Sequence, residues 1–141
     1  MFESAGLEVL EPSESVRLLG AAPIGRIVFT DQAMPAVQPV NFVVDGDALL
    51  IRTAPGSKLD AAARNAIVAF EVDDIDQDNQ RGWSVTVVGH AEMITDEAEL
   101  QRLAGLPLRS WSPDEPTHLI RIRMEIIQGR RIVAVPARVV S

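Results

Sequence analysis

Hydrophobic and polar positions alternate with period two over much of this chain, and glycine, proline and acidic residues cut the alternation into short runs. Runs of this kind read as half-buried strands, and their close spacing predicts hairpin links rather than helical crossovers. Gly25-Arg26-Ile27-Val28-Phe29-Thr30 is the first clear strand; after the polar, proline-bearing break from Asp31 to Pro35, a second is predicted from Ala36 to Val44. Pro39 lies inside that second run. Because proline has no N–H to donate, the strand must be an edge, be bulged, or turn its backbone toward something other than a neighbouring strand. Asp45-Gly46-Asp47 is a hairpin turn leading into a third strand from Ala48 to Thr53.

The later elements follow the same logic. A short helix is predicted through Ala61, Ala62 and Ala63 to Asn65, followed by a strand from Ala66 to Val72 and a polar, acidic connection from Asp73 to Arg81. Gly82 to Met93 reads as a long strand, with Val85, Val87, Gly89 and Ala91 on one face and Ser84, Thr86, Val88 and His90 on the other. Thr95 is the expected cap of a helix that runs through Glu99 and Leu103 and stops at Gly105. A proline-punctuated loop carrying Trp111 then leads to a strand from Thr117 to Met124, and a last strand is predicted from near Gly129 into Val135. An earlier amphipathic helix opens at Pro12-Ser13, is apolar at Val16, Leu18 and Leu19, and stops at Gly20; it is expected to pack on a barrel end. Six or seven strands with hairpin-like links and three short helices make a mainly β protein, a small antiparallel barrel in one domain over residues 1–141.

Composition narrows the functions. With 141 residues, 47% hydrophobic and 23% charged, the chain has the balance of a single globular domain. A net charge of −7 argues against non-specific nucleic-acid binding, so an anionic ligand needs a local basic pocket. There is no cysteine, which removes disulfides, zinc–thiolate sites and thiol nucleophiles and suits a reducing cytoplasm. No apolar run approaches the ~20 residues of a spanning helix. A cytoplasmic protein without membrane contact is the expectation.

Several chemistries lack their residues. Asp74, Asp76 and Asp78 alternate as in a calcium loop, but Asn79 stands where the turn needs glycine and Val85 where the bidentate glutamate belongs, so an acidic solvated loop is expected. His90 and His118 are the only histidines, with no metal-ligand spacing; His90 is expected as a half-exposed strand residue. No Gly-x-Ser-x-Gly elbow and no glycine-rich dinucleotide fingerprint occurs. What stands out is Arg52-Thr53-Ala54-Pro55-Gly56-Ser57-Lys58-Leu59-Asp60, a strand end running through a Pro-Gly turn into a helix with Ser57 as N-cap. Orphan N–H groups, a partly positive helix start, Gly56, two hydroxyls and two cations outline an anion cradle. The same residues also suit an ordinary capped helix with solvated cations.

In order and spacing these parts resemble the flavin-binding split-barrel superfamily, the pyridoxamine 5′-phosphate oxidase-like proteins, from about Val16 to Ile132. The matching parts are Gln38-Pro39-Val40-Asn41-Phe42, Asp45-Gly46-Asp47, Arg52-Thr53 with Ser57-Lys58-Leu59, Val68-Ala69-Phe70-Glu71, and Trp83 through Glu92. The resemblance implies a six- or seven-stranded antiparallel split β-barrel that dimerises with FMN at the subunit interface. It would lay Gln38, Val40 and Asn41 along the isoalloxazine, give the phosphate Arg52, Thr53, Ser57 and Lys58, and bring Ser84 and Trp83 toward the cofactor. Trp111 and Arg130 would come from the partner subunit. True pyridoxamine phosphate oxidases carry two adjacent basic residues in the cradle, a lysine near Val43 and an Arg-x-His element near the C-terminus. Here Leu59 follows Lys58 and no histidine lies in the tail, so vitamin B6 oxidation is not expected. The implied activity is a flavin-type oxidoreductase acting on a small molecule, with no catalytic side chain identified and no metal. The 8-hydroxy-5-deazaflavin coenzyme is the alternative cofactor, haem the least suited. A non-enzymatic flavin-binding dimer, as store or sensor, or an empty barrel used as an interaction module, also fits these residues.

Overall fold

The computed structural model describes residues 2–3, 7–22, 24–108 and 117–132. Its strands are β1 (Phe2–Glu3), β2 (Leu7–Leu10), β3 (Ile24–Asp31), β4 (Met34–Asp45), β5 (Ala48–Thr53), β6 (Ala66–Asp76), β7 (Arg81–Met93), β8 (His118–Arg123) and β9 (Ile126–Ile132). Three helices join them: α1 (Pro12–Ala21), α2 (Lys58–Ala62) and α3 (Glu97–Leu103). Every pairing is antiparallel, in the order β1-β2-β9-β7-β6-β3-β4-β5-β8, and a further pairing of β8 with β7 closes six strands into a barrel. The mainly β split-barrel expectation is met. None of the described helices is long and apolar enough to cross a membrane.

The split has a local cause. Both β8 and β9 run along β7, but Ile122 faces Ala91 while Ile126 faces Val88, so residues 123–125 hold one residue more than β7 does. That bulge lies over Gly89, where a Cβ would collide with the Arg123 carbonyl. Beyond it the chain leaves β5's side of the barrel and pairs with β2 instead.

Inside, the alternation does what the pattern requires. Ile27, Phe29, Leu49, Ile51, Phe70, Val72, Val85, Val87, Ile120 and Ile122 form one core, with Leu18 and Leu19 of α1 packed into it. Each such side chain fully buried is worth roughly 1.5–3 kcal/mol. The Phe42 and Phe70 rings meet edge to face, centroids 4.8 Å apart. A second cluster, Leu50, Ile94, Leu103, Leu108 and Leu119, lies under α3 on the other face of the β5–β8 pair.

The differences from the sequence expectation are local. β1 and β2 were not foreseen: Phe2-Glu3 is too short to show a period, and Leu7–Leu10 carries no clean alternation. The acidic stretch after Val72 is not a loop, because β6 continues to Asp76 against Arg81. Its carboxylates sit on a hairpin tip where Asp76 accepts from the Asp78 and Asn79 N–H groups and the Asn79 amide. α2 stops at Ala62, short of Asn65, which takes a left-handed φ of 54°. Asp96, not Thr95, caps α3 by accepting the Glu99 N–H at 3.0 Å. β9 starts at Ile126, three residues before the predicted Gly129, because the register with β7 resumes directly after the bulge.

Candidate functional site

The site begins where β4 and β5 part. Residues 34–41 of β4 pair with β3, whereas pairing with β5 runs only from Phe42 to Asp45. Pro39 cannot donate, so Arg26↔Pro39 is a non-hydrogen-bonded pair, and the backbone polar groups of 35, 37 and 39 turn toward the side that β5 has left. Pro39 therefore marks an open edge, as its chemistry required. Into that space the chain sends the turn 54–57 and then α2, whose Lys58 ammonium lies 3.8 Å from Asp31 at the end of β3.

The turn is tied from within. The Ser57 hydroxyl accepts the Asp60 N–H at 3.0 Å and lies 2.9 Å from the Thr53 hydroxyl. Asp60, 1% exposed, accepts the Gly56 N–H at 3.0 Å, sits 2.8 Å from His118 Nδ1 and takes a 3.4 Å bond from Arg64. Burial pushes the Asp60 carboxyl up, but the Gly56 N–H, His118 and Arg64 outweigh it and hold the group below the usual carboxylate range. An internal carboxylate thus fills the inner half of the cradle. Asp60, Arg64 and His118 were not among the expected site residues; the S-x-x-D spacing of a cap box was the available signal for Asp60, whereas only the Thr53↔His118 register reveals His118.

The outer half is open. Gly56 has φ +78° and nothing within 4 Å of where a Cβ would stand, and the Lys58 side chain is 83% exposed. An anion in this half would meet the Lys58 ammonium, 3.8 Å from Asp31, and the hydroxyl-bearing turn, with the Gly56 N–H already committed to Asp60.

The two cations that stand close in the sequence diverge in space. Thr53 and Arg52 point to opposite faces of the β5–β8 pair. Thr53 faces Ser57 and α2, whereas the Arg52 guanidinium donates to the Leu108 carbonyl at 2.9 Å and to the Thr117 hydroxyl at 3.3 Å, on the α3 side. There it lines a cleft of about 240 Å³ with Ile94, Leu100, Ala104, Thr117, His118 and Leu119.

Gln38, Val40 and Asn41 lie on the open stretch of β4, Gln38 exposed, Val40 buried and Asn41 between. Trp83 and Ser84 are on β7 and Arg130 on β9, separated from β4 by β3 and β6. Three strand steps from β7, or four from β9, at about 4.8 Å each keep them from the same chain's β4. Ser84 pairs with Arg130 on the outward face, while Trp83 packs partly buried against the core. Trp111 lies outside the described residues.

Residues 11–131 match the family model of pyridoxamine 5′-phosphate oxidase. The chain belongs to that family. Its relatives include an uncharacterized protein of Mycobacterium tuberculosis, Rv0080, 37% identical over 130 residues, which cover 89% of this chain and 85% of that one. Among solved structures, the FAD binding protein from Mycobacterium smegmatis is similar at 40% identity and a TM-score of 0.75, over 88% of this chain and 96% of that one. An FAD-binding protein from Mesorhizobium loti is similar at 25% identity and a TM-score of 0.68, over 89% and 97% of the two chains. The family match and the split barrel agree.

Proposed function

We propose that this chain is a flavin-dependent oxidoreductase acting on a small molecule, with the flavin held along the open edge of β4 and its phosphate at Thr53, Ser57 and Lys58. The observation that carries the reading is the parting of β4 from β5. It leaves backbone donors and acceptors beside an open, lysine-bearing turn, a fit for a planar ring with polar edges joined to a phosphate. FMN is the cofactor we favour. FAD, named for the two bacterial proteins similar in structure, contains the same ring, ribityl chain and first phosphate, so the cradle argument covers both. The 8-hydroxy-5-deazaflavin coenzyme carries a comparable phosphate and is the alternative. The bound group would supply the redox chemistry, while this chain binds it, orients it and shields one face.

The reading includes a homodimer. Val37, Val28, Ala69, Val88 and Ile126 stand side by side across five strands on the barrel's outward face. Val37 and Ile126 are 62% and 53% exposed, with Ile67 (62%) and Ile24 (47%) close by. An apolar stripe of this kind marks a surface that another protein covers. Ser84 and Arg130 share that face, so a second copy covering it would bring its own Ser84 and Arg130 toward the neighbour's β4. Spectral titration with FMN, FAD and the deazaflavin coenzyme tests the reading: saturable binding of one of them supports it, and binding of none overturns it.

A further inference from the structure

The cleft beneath α3 is the part of the molecule that the flavin reading leaves unused. Its polar end is built around Arg52, whose hydrogen bonds go to neutral acceptors, the Leu108 carbonyl and the Thr117 hydroxyl. No carboxylate pairs with Arg52 among the described residues, whereas Arg17, Arg26, Arg64, Arg102, Arg121, Arg123 and Arg131 each have one. A half-buried guanidinium with no carboxylate partner among the described residues, in a chain of net charge −7, is suited to receive an anion.

His118 borders the cleft, but its ring turns to the Thr53 face, with Nδ1 2.8 Å from the buried Asp60 carboxylate. The opposite walls are Ile94, Leu100, Ala104 and Leu119, all apolar. The cleft's volume of about 240 Å³ is smaller than that of a drug-sized pocket.

We propose that this cleft binds a small monocarboxylate with a short apolar tail, its carboxylate on Arg52 beside Thr117, its tail against Ile94, Leu100 and Leu119. A planar carboxylate matches the fork of a guanidinium better than it matches a point charge. The proposal is independent of the flavin reading, because Arg52 and Thr53 face opposite sides of the β5–β8 pair.

Calorimetric titration of the whole protein with hexanoate, with its neutral analogue hexanamide and with inorganic phosphate tests it. Saturable hexanoate binding is expected, with hexanamide and phosphate weaker by about tenfold or more, the effect of one charge-assisted contact. Arg52→Gln should lose a similar factor. Since that change also releases the Leu108 carbonyl, Ala104→Phe, which fills the cleft and leaves Arg52 in place, provides a second block. Lys58→Ala should leave hexanoate binding unchanged while weakening flavin binding, which separates the two sites. Equal binding of hexanoate and hexanamide, a preference for phosphate, or wild-type hexanoate affinity in both Arg52→Gln and Ala104→Phe would overturn the proposal.

Discussion

Asp60 and Glu71 are both carboxylates drawn from water, and the fold moves them in opposite directions. Around Asp60 it places a backbone N–H, an imidazole and a guanidinium, which overcome burial and keep the acid ionised. Around Glu71 it places burial and a second acid, Asp73, which together raise its pKa to about 7 against the pull of Arg26. Arg26 is shared between the two acids at 3.3 and 3.4 Å and is itself 54% exposed. Glu71 lies in the row Pro39-Arg26-Glu71-Thr86-Gln128, one row from the apolar stripe on the same outward face. The cradle is organised to hold negative charge at a fixed place, whereas the outer sheet tolerates it poorly.

The largest way to break this comparison is Asp60→Asn. Removing the charge leaves Arg64 and the Gly56 N–H with a weakened acceptor, so about 3 kcal/mol of stability should be lost in urea unfolding at neutral pH. The contribution of Asp60 has a defined pH window. Its folded pKa is lowered, so the stability it adds is present above the unfolded value of 3.8 and disappears as pH falls through the folded one. The gap between wild type and Asp60→Asn should therefore begin to close as pH falls below 3.8 and vanish only below the folded pKa.

Next, Ile67→Lys places a charge on the outward apolar face and should shift the proposed dimer to monomer in sedimentation, without loss of β structure by circular dichroism. Lys58→Ala should weaken flavin binding roughly tenfold and leave stability within about 0.5 kcal/mol, since an exposed ion pair at 3.8 Å contributes little. Glu71→Gln is read in pH dependence rather than at a single pH. A raised folded pKa favours the protonated form, so that contribution is full below the unfolded 4.5 and fades as pH rises through about 7. The variant should show a flatter stability profile across that window, measured as the urea midpoint against pH.

The barrel was largely legible because its strands are half buried, and period-two alternation is the direct imprint of one wet and one dry face. Phe70 between Ala69 and Glu71, and Ile122 between Arg121 and Arg123, carry that imprint plainly. β2 does not, because its residues sit at the sheet's margin, where burial alternates weakly. In the cradle, Ser57 and Gly56 were readable as cap and turn, since both roles are local. The opposite facing of Arg52 and Thr53 follows from strand geometry, but its consequence depends on α3 and Leu108, which lie far along the chain. His118 joins Asp60 across 58 residues, and no short-range pattern predicts that contact.

The measurement that tests the central claim most directly is fluorescence titration of wild type and Lys58→Ala with FMN and FAD. Saturable binding by wild type, weakened about tenfold in the variant while Arg52-dependent hexanoate binding persists, is the predicted result. Equal flavin affinity in the two proteins, or no flavin binding by wild type, would contradict the account.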